Sequence, residues 1–258
     1  MILSLILLLV FFFSHLYFIL LALMSLIGLN ICVVSSSFDR AVLPLSTSIC
    51  PAPDENTCWD ETVAYRVVSV AERKLKRGCG HPHCTLVQTC VRATDLTEIK
   101  DVVEKVARTY RDRMDKCSLT LQGVSAGPVF NVLSDGTEAR LPYVGIVRSE
   151  ELQALHQEMT EALEKYRVHV KSPEVGAATF HKKFPVVGTA SVEYMEEFNE
   201  RCGGENYNPH ITIGASPLKS LEKLVFFQKT EVPWRQCSVV VSHMGNYCSC
   251  FEILEGSK

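Results

Sequence analysis

Met1–Val34 contains no Asp, Glu, Lys or Arg, and His15 is its only side chain able to carry a positive charge. The run exceeds the roughly 20 apolar residues that cross a bilayer as a helix. It lacks the basic start of a secretory signal and is longer than the ~7–15 residues of a signal's apolar region. The sequence therefore predicts an uncleaved transmembrane anchor over residues 1–34, with a cleaved signal or a later true start as alternatives. The chain has no Asn-x-Ser/Thr site, which speaks against a secretory lumen. The only basic residue near the apolar run is Arg40, on its C-terminal side, a weak vote for a cytosolic body. Eleven cysteines pull the other way, although a reduced Cys in a strand is simply a small core hydrophobe. The expectation is a single-pass membrane protein with the side of its body undecided, or a secreted or cytosolic one if residues 1–34 are lost. A strong charge imbalance is also lacking: the formal net charge is −3, so a polyanion would need a local patch.

Residues 35–61 carry Pro44, Pro51, Pro53 and a Ser run without periodicity, and read as a linker. Ordered structure is expected from residue 62 to 258. Thr62–Val70 is β-rich, and the basic cluster Arg73, Lys74, Lys76 and Arg77 follows it. Leu96, Ile99, Val103, Val106 and Tyr110 recur at helical spacing after Asp95 and Glu98, a capping-box pair. Strands are expected near 117–123, 128–133 and 140–148. Ser149 caps a second helix with Leu152, Leu155, Met159 and Leu163 on one face. A short helix is expected over 192–202, a third from Ser216-Pro217, and two closing strands over 236–242 and 247–254.

Two stretches carry the chemistry. His81-Pro82-His83-Cys84-Thr85-Leu86 and Asn208-Pro209-His210-Ile211-Thr212-Ile213 each hold a His-x-Thr before an aliphatic residue. In a strand, residues i and i+2 share a face. His83 would lie beside Thr85 and His210 beside Thr212, while Cys84, Leu86, Ile211 and Ile213 point into a core. If the strands are neighbours, two imidazoles and two hydroxyls line one cleft. One imidazole can deprotonate water and the other can protonate a leaving oxygen, both near neutral pH. The threonines can hold the phosphate oxygens. A zinc site at Cys79, His81, His83 and Cys84 is the competing reading, but no second clustered pair lies near Cys202, Cys237 or Cys248.

These motifs, with Arg140–Val147 leading into Ser149–His156, resemble the two-histidine (2H) phosphoesterase superfamily over residues 62–254. That family includes the RNA 2′,3′-cyclic phosphodiesterases. The resemblance implies an α+β, pseudo-two-fold duplicated fold with mostly antiparallel sheets around a central cleft, here preceded by an apolar N-terminal helix. It implies His83, Thr85, His210 and Thr212 as catalytic residues, with no metal or cofactor. The substrate it implies is a nucleotide or RNA end bearing a cyclic or 2′-linked phosphodiester. A non-catalytic nucleotide-binding or scaffolding module with the same cleft is the alternative. Aromatic and cationic groups that could hold such a substrate are Tyr207, Phe180, Tyr143, Lys182, Lys183 and Arg77. A monomer is expected, joined to the membrane through residues 1–34.

Overall fold

The apolar run ends in a strand at the middle of a sheet. In the computed structural model, Leu26–Val34 forms β1, antiparallel to β4 (His83–Arg92) on one side and β12 (Ser238–Gly245) on the other. The structure describes residues 25–53, 65–132, 136–184, 187–217 and 227–256. β1 is covered on both faces. Leu29, Ile31 and Val33 enter the main core, while Cys32 and Val34 join Val240 and Cys250 in a smaller cluster. A strand buried on both faces is a continuous apolar stretch, and periodicity cannot separate it from a buried helix.

This corrects the expected anchor over 1–34 and the single-pass membrane localisation. No helix among the described residues is long and apolar enough to cross a membrane. The apolar helix expected further upstream, over residues 1–24, lies outside the described residues. The expected linker is corrected in part as well, because Ser36–Ile49 forms helix α1. Ser35 caps it, its hydroxyl accepting from the Ser37 N–H and donating to the Gln236 carbonyl. Asp39 of α1 accepts from the Ser69 hydroxyl and the Val70 N–H, which ties the helix to the loop before the first motif.

The remaining strands are β2 (Tyr65–Val67), β3 (Cys79–Gly80), β5 (Ser118–Ser125), β6 (Val129–Val132), β7 (Glu138–Arg140), β8 (Tyr143–Ile146), β9 (His210–Thr212), β10 (Gly214–Pro217), β11 (Thr230–Pro233) and β13 (Ser249–Gly256). One sheet has the order β11-β5-β8-β9-β4-β1-β12-β13, and a smaller one β3-β2-β10-β7-β6. All pairings are antiparallel except β2 with β3. The mostly antiparallel α+β expectation holds. The two motif strands, β9 and β4, are neighbours at the centre of the large sheet, with three strands beyond each of them.

Helices α2 (Leu96–Arg113) and α3 (Glu150–Leu163) pack on each other and against this sheet. Their buried faces are the predicted ones: Ile99, Val103, Val106 and Tyr110 on α2, and Leu152, Leu155, Met159 and Leu163 on α3. Ser149 caps α3 as expected, accepting from the Leu152 N–H. Asp95 does not cap α2; a short 3₁₀ turn precedes the helix and Asp95 faces Arg92 instead. Short helices α4 (Pro173–Ala178), α5 (Thr189–Glu196) and α6 (Phe198–Cys202) cover one end of the sheet. Ser216 and Pro217 end β10, with the Ser216 hydroxyl donating to the Ile49 carbonyl; the helix expected to follow them falls on residues 218–226, outside the described residues.

Candidate active site

The two motifs meet where β4 and β9 pair. Cys84 is the cross-strand partner of Ile211. One step along this antiparallel register, His83 lies across from Thr212 and Thr85 across from His210. The histidines are therefore diagonal, each facing the other motif's threonine. Cys84 and Ile211, both fully buried, point into the main core as the alternation requires.

Each imidazole is anchored in the same way. His83 Nδ1 lies 2.7 Å from the His81 carbonyl, and His210 Nδ1 lies 2.7 Å from the Asn208 carbonyl. A carbonyl only accepts, so both rings carry hydrogen on Nδ1 and a lone pair on Nε2. In both motifs the acceptor stands two residues before the histidine with a proline between, so the shared x-Pro-His-x-Thr sequence gives one local geometry twice.

His83, Thr85, His210 and Thr212 line a single cleft of about 800 Å³. A bulge in the β1–β4 pairing, where Ile31 and Cys32 face Val87 and Thr85, skips Leu86 and shifts the alternation. Gln88 thereby joins His83 and Thr85 on the cleft side. Asn30, across from Gln88 on β1, reaches the same region: its Nδ2 is 3.1 Å from His83 Nε2 and donates to the Cys248 carbonyl at 3.0 Å.

The two histidines differ in setting. His83 is 6% exposed, and burial drives its pKa down to about 4, with the His81 carbonyl opposing that shift and the His210 imidazole adding to it. His210 is half-buried; burial lowers its pKa too, and the Asn208 carbonyl opposes that. The state with one neutral and one protonated ring therefore lies below neutral pH in the free protein, lower than the near-neutral optimum expected from unperturbed imidazoles. No carboxylate lines the cleft among the described residues, and Arg201 is its cation.

Of the substrate-holding candidates, Tyr143 and Tyr207 line the cleft. The Tyr143 ring sits 4.8 Å from that of His210. Tyr207 is no free platform. It is buried, stacked on His156 at 3.9 Å, and its hydroxyl donates to the Thr85 carbonyl at 3.0 Å, clamping β4 to α3. Phe180, Lys182, Lys183 and Arg77 do not line the cleft. Phe180 is buried in a second core cluster with Phe184 and Phe251, because the segment after α4 packs across β12 and β13. Lys183 donates to the Leu75 carbonyl at 2.8 Å. His81 is buried rather than on the rim, its Nδ1 donating to the Ser69 carbonyl.

The sequence reading missed Tyr65, Phe130, Tyr247 and Arg201, all in the lining. Tyr247 packs between Tyr65 and Phe130, with ring centroids 5.5 and 5.2 Å away. Tyr247 and Cys248 both have positive φ, 57° and 54°, a strained pair of the kind found at working sites. The zinc reading fails on placement, since Cys84 enters the main core and Cys79 the second cluster while His83 faces the cleft. A separate group, His181, His243 and Glu252, brings three ligand-type atoms within 4.8 Å of one another. Its tautomer argues against a metal there. His181 Nδ1 accepts the Lys183 N–H, so its Nε2 carries the proton and donates to Glu252 at 3.2 Å.

Two imidazoles of matched tautomer thus stand on adjacent antiparallel strands, each beside a threonine, along one cleft. Residues 59–245 match the model of the 2′-5′ RNA ligase superfamily, and the chain belongs to that family. No curated protein sequence matches the chain. Among solved structures, that of Kluyveromyces marxianus Usb1 with uridine monophosphate is similar at 13% identity and a TM-score of 0.31, over 84% of this chain and 93% of that one.

Proposed function

We propose that the protein is a phosphodiesterase that hydrolyses a 2′,3′-cyclic or 2′-linked nucleotide phosphodiester at an RNA end. His83 is the general base. Its buried ring is neutral over the whole physiological range, and its Nε2 lone pair, which accepts from the Asn30 amide in the free protein, takes a proton from water as that water displaces the amide and attacks phosphorus. His210, nearer solvent, is the general acid and gives its proton to the departing ribose oxygen. The phosphodiester brings a negative charge that favours protonated His210 once bound. Thr85 and Thr212 donate to the non-bridging oxygens as charge builds on them. Tyr247 and Tyr143 offer ring surface to a base, and Arg201 a charge to the sugar–phosphate backbone.

The observation that supports this reading most is the matched pair: two histidines, each anchored through Nδ1 to the carbonyl two residues back, set diagonally across one strand pair. Incubation with 2′,3′-cyclic nucleotides, followed by ³¹P NMR, tests it. The cyclic phosphate resonance should give way to that of one monophosphate. A resonance that shifts or broadens with protein but never converts would identify a binding module instead.

A further inference from the structure

We infer that Asn30 is a positioning residue for His83: its side-chain amide, donated from β1, caps the Nε2 lone pair and holds the resting ring neutral and in its Nδ1–H tautomer until the attacking water takes the amide's place. The inference rests on the reading of His83 as the base.

Asn30 is fully buried, and His83 is nearly so. The Asn30 amide nitrogen has two hydrogens, and both are used, one on His83 Nε2 at 3.1 Å and one on the Cys248 carbonyl at 3.0 Å. The Cys248 carbonyl settles the orientation of the amide, because only the NH₂ end can face an acceptor. An N–H aimed at Nε2 is compatible with a lone pair there and opposes a hydrogen. With Nδ1 donating to the His81 carbonyl, both ring nitrogens of neutral His83 are satisfied, and the imidazolium would set Nε2–H against the Asn30 N–H. Water reaches the Nε2 lone pair only by displacing the Asn30 N–H, and once that contact is given up the ring can take the proton. Asn30 Oδ1 is buried without a partner, as is Gln88 Oε1 across the strand pair. The arrangement tolerates that cost, as sites under functional constraint do.

Other titratable groups near the ring offer no such device. They are His81 on the approach to β4, His210 on β9, Cys32 on β1, Tyr65 on β2 and Cys248 before β13; none is a carboxylate. His210 has no counterpart of Asn30 among the described residues, which distinguishes the two otherwise matched histidines.

The test needs no variant at first. Nitrogen-15 NMR of the imidazoles in the intact protein should show His83 with a protonated Nδ1 and a bare, hydrogen-bonded Nε2 from pH 8 to 5. A His83 with hydrogen on Nε2 overturns the inference outright. Asn30→Asp should reverse the sign of the contact, raising the His83 ring pKa and moving the acidic limb of kcat/KM upward by at least one pH unit. Asn30→Ala, which removes the N–H that opposes a hydrogen on Nε2, should also raise the His83 ring pKa, by less than Asn30→Asp does. Asn30→Asp with wild-type ring titration and an unmoved limb would reduce Asn30 to packing. His83→Ala at full rate would remove the base assignment itself, so the two failures are separable, and the ring spectra decide the tautomer even without turnover.

Discussion

Cys84 and Ile211, the middle residues of the two His-x-Thr motifs, face each other across the β4–β9 pair and are both fully buried. Everything on the cleft side follows from that contact. A slip of β9 by one residue against β4 would turn His210 and Thr212 into the core and Ile211 into the cleft. Shortening Ile211 should therefore loosen the strand pair that carries the site. Ile211→Ala should cost about 2–5 kcal/mol of unfolding free energy, and Ile211→Val about 0.5–1.5 kcal/mol. Denaturant melts check the ranking. Equal, negligible losses would mean that the pairing is not held by core packing.

β1 supplies three residues of the main core, two of a smaller cluster and the Asn30 contact to His83. A chain that begins at Ser35 loses the strand between β4 and β12 and exposes both of their edges. We expect it to show no cooperative thermal transition and to aggregate, whereas a membrane anchor could be removed without harm to the domain. A sharp, two-state melt of the Ser35 start would contradict the placement of β1.

The legible parts of this protein are those where one face is wet. The α2 and α3 stripes repeat and β9 alternates as half-buried elements must, so their periods reveal them; β4 is buried along nearly all its length and is legible through its His-x-Thr motif instead. β1 escaped because neither of its faces meets water, and its stretch merges with the apolar residues before it. Gln88 is not legible because strict alternation puts it on the core face with Cys84 and Leu86, and the bulge at Leu86 breaks that alternation. Tyr65, Phe130, Tyr247 and Arg201 come from separate strands, turns and helices and share no spacing; only the assembled sheets bring them together. Phe180 and Lys183 seemed free because the sequence does not say that their segment packs on β13.

Acid should weaken the fold through His83. Unfolded, its ring titrates near ~6.5; folded, burial holds it at about 4. The unfolded chain then binds the proton more readily, so the contribution is complete above pH ~6.5, is lost as pH falls toward 4, and levels off below. A shift of that size is worth up to about 3 kcal/mol. Urea unfolding at several pH values should show a shallower acid loss for His83→Gln than for the wild type. Identical slopes would mean that His83 is not held neutral.

The aromatic wall should act on substrate binding. Tyr247→Ala removes the ring between Tyr65 and Phe130. Base stacking is worth about 1–3 kcal/mol, so KM for a cyclic nucleotide should rise roughly 5- to 150-fold with kcat little changed. A fall confined to kcat would place Tyr247 in the chemistry rather than in the grip on the base.

The most direct test compares turnover of a 2′,3′-cyclic mononucleotide by the wild type, His83→Ala and His210→Ala, each confirmed folded by its melting curve. The account predicts wild-type hydrolysis and a loss of at least ~10²-fold in either variant, the contribution of a positioned acid or base. A folded wild type without turnover, or a variant that keeps near-full rate, would contradict it.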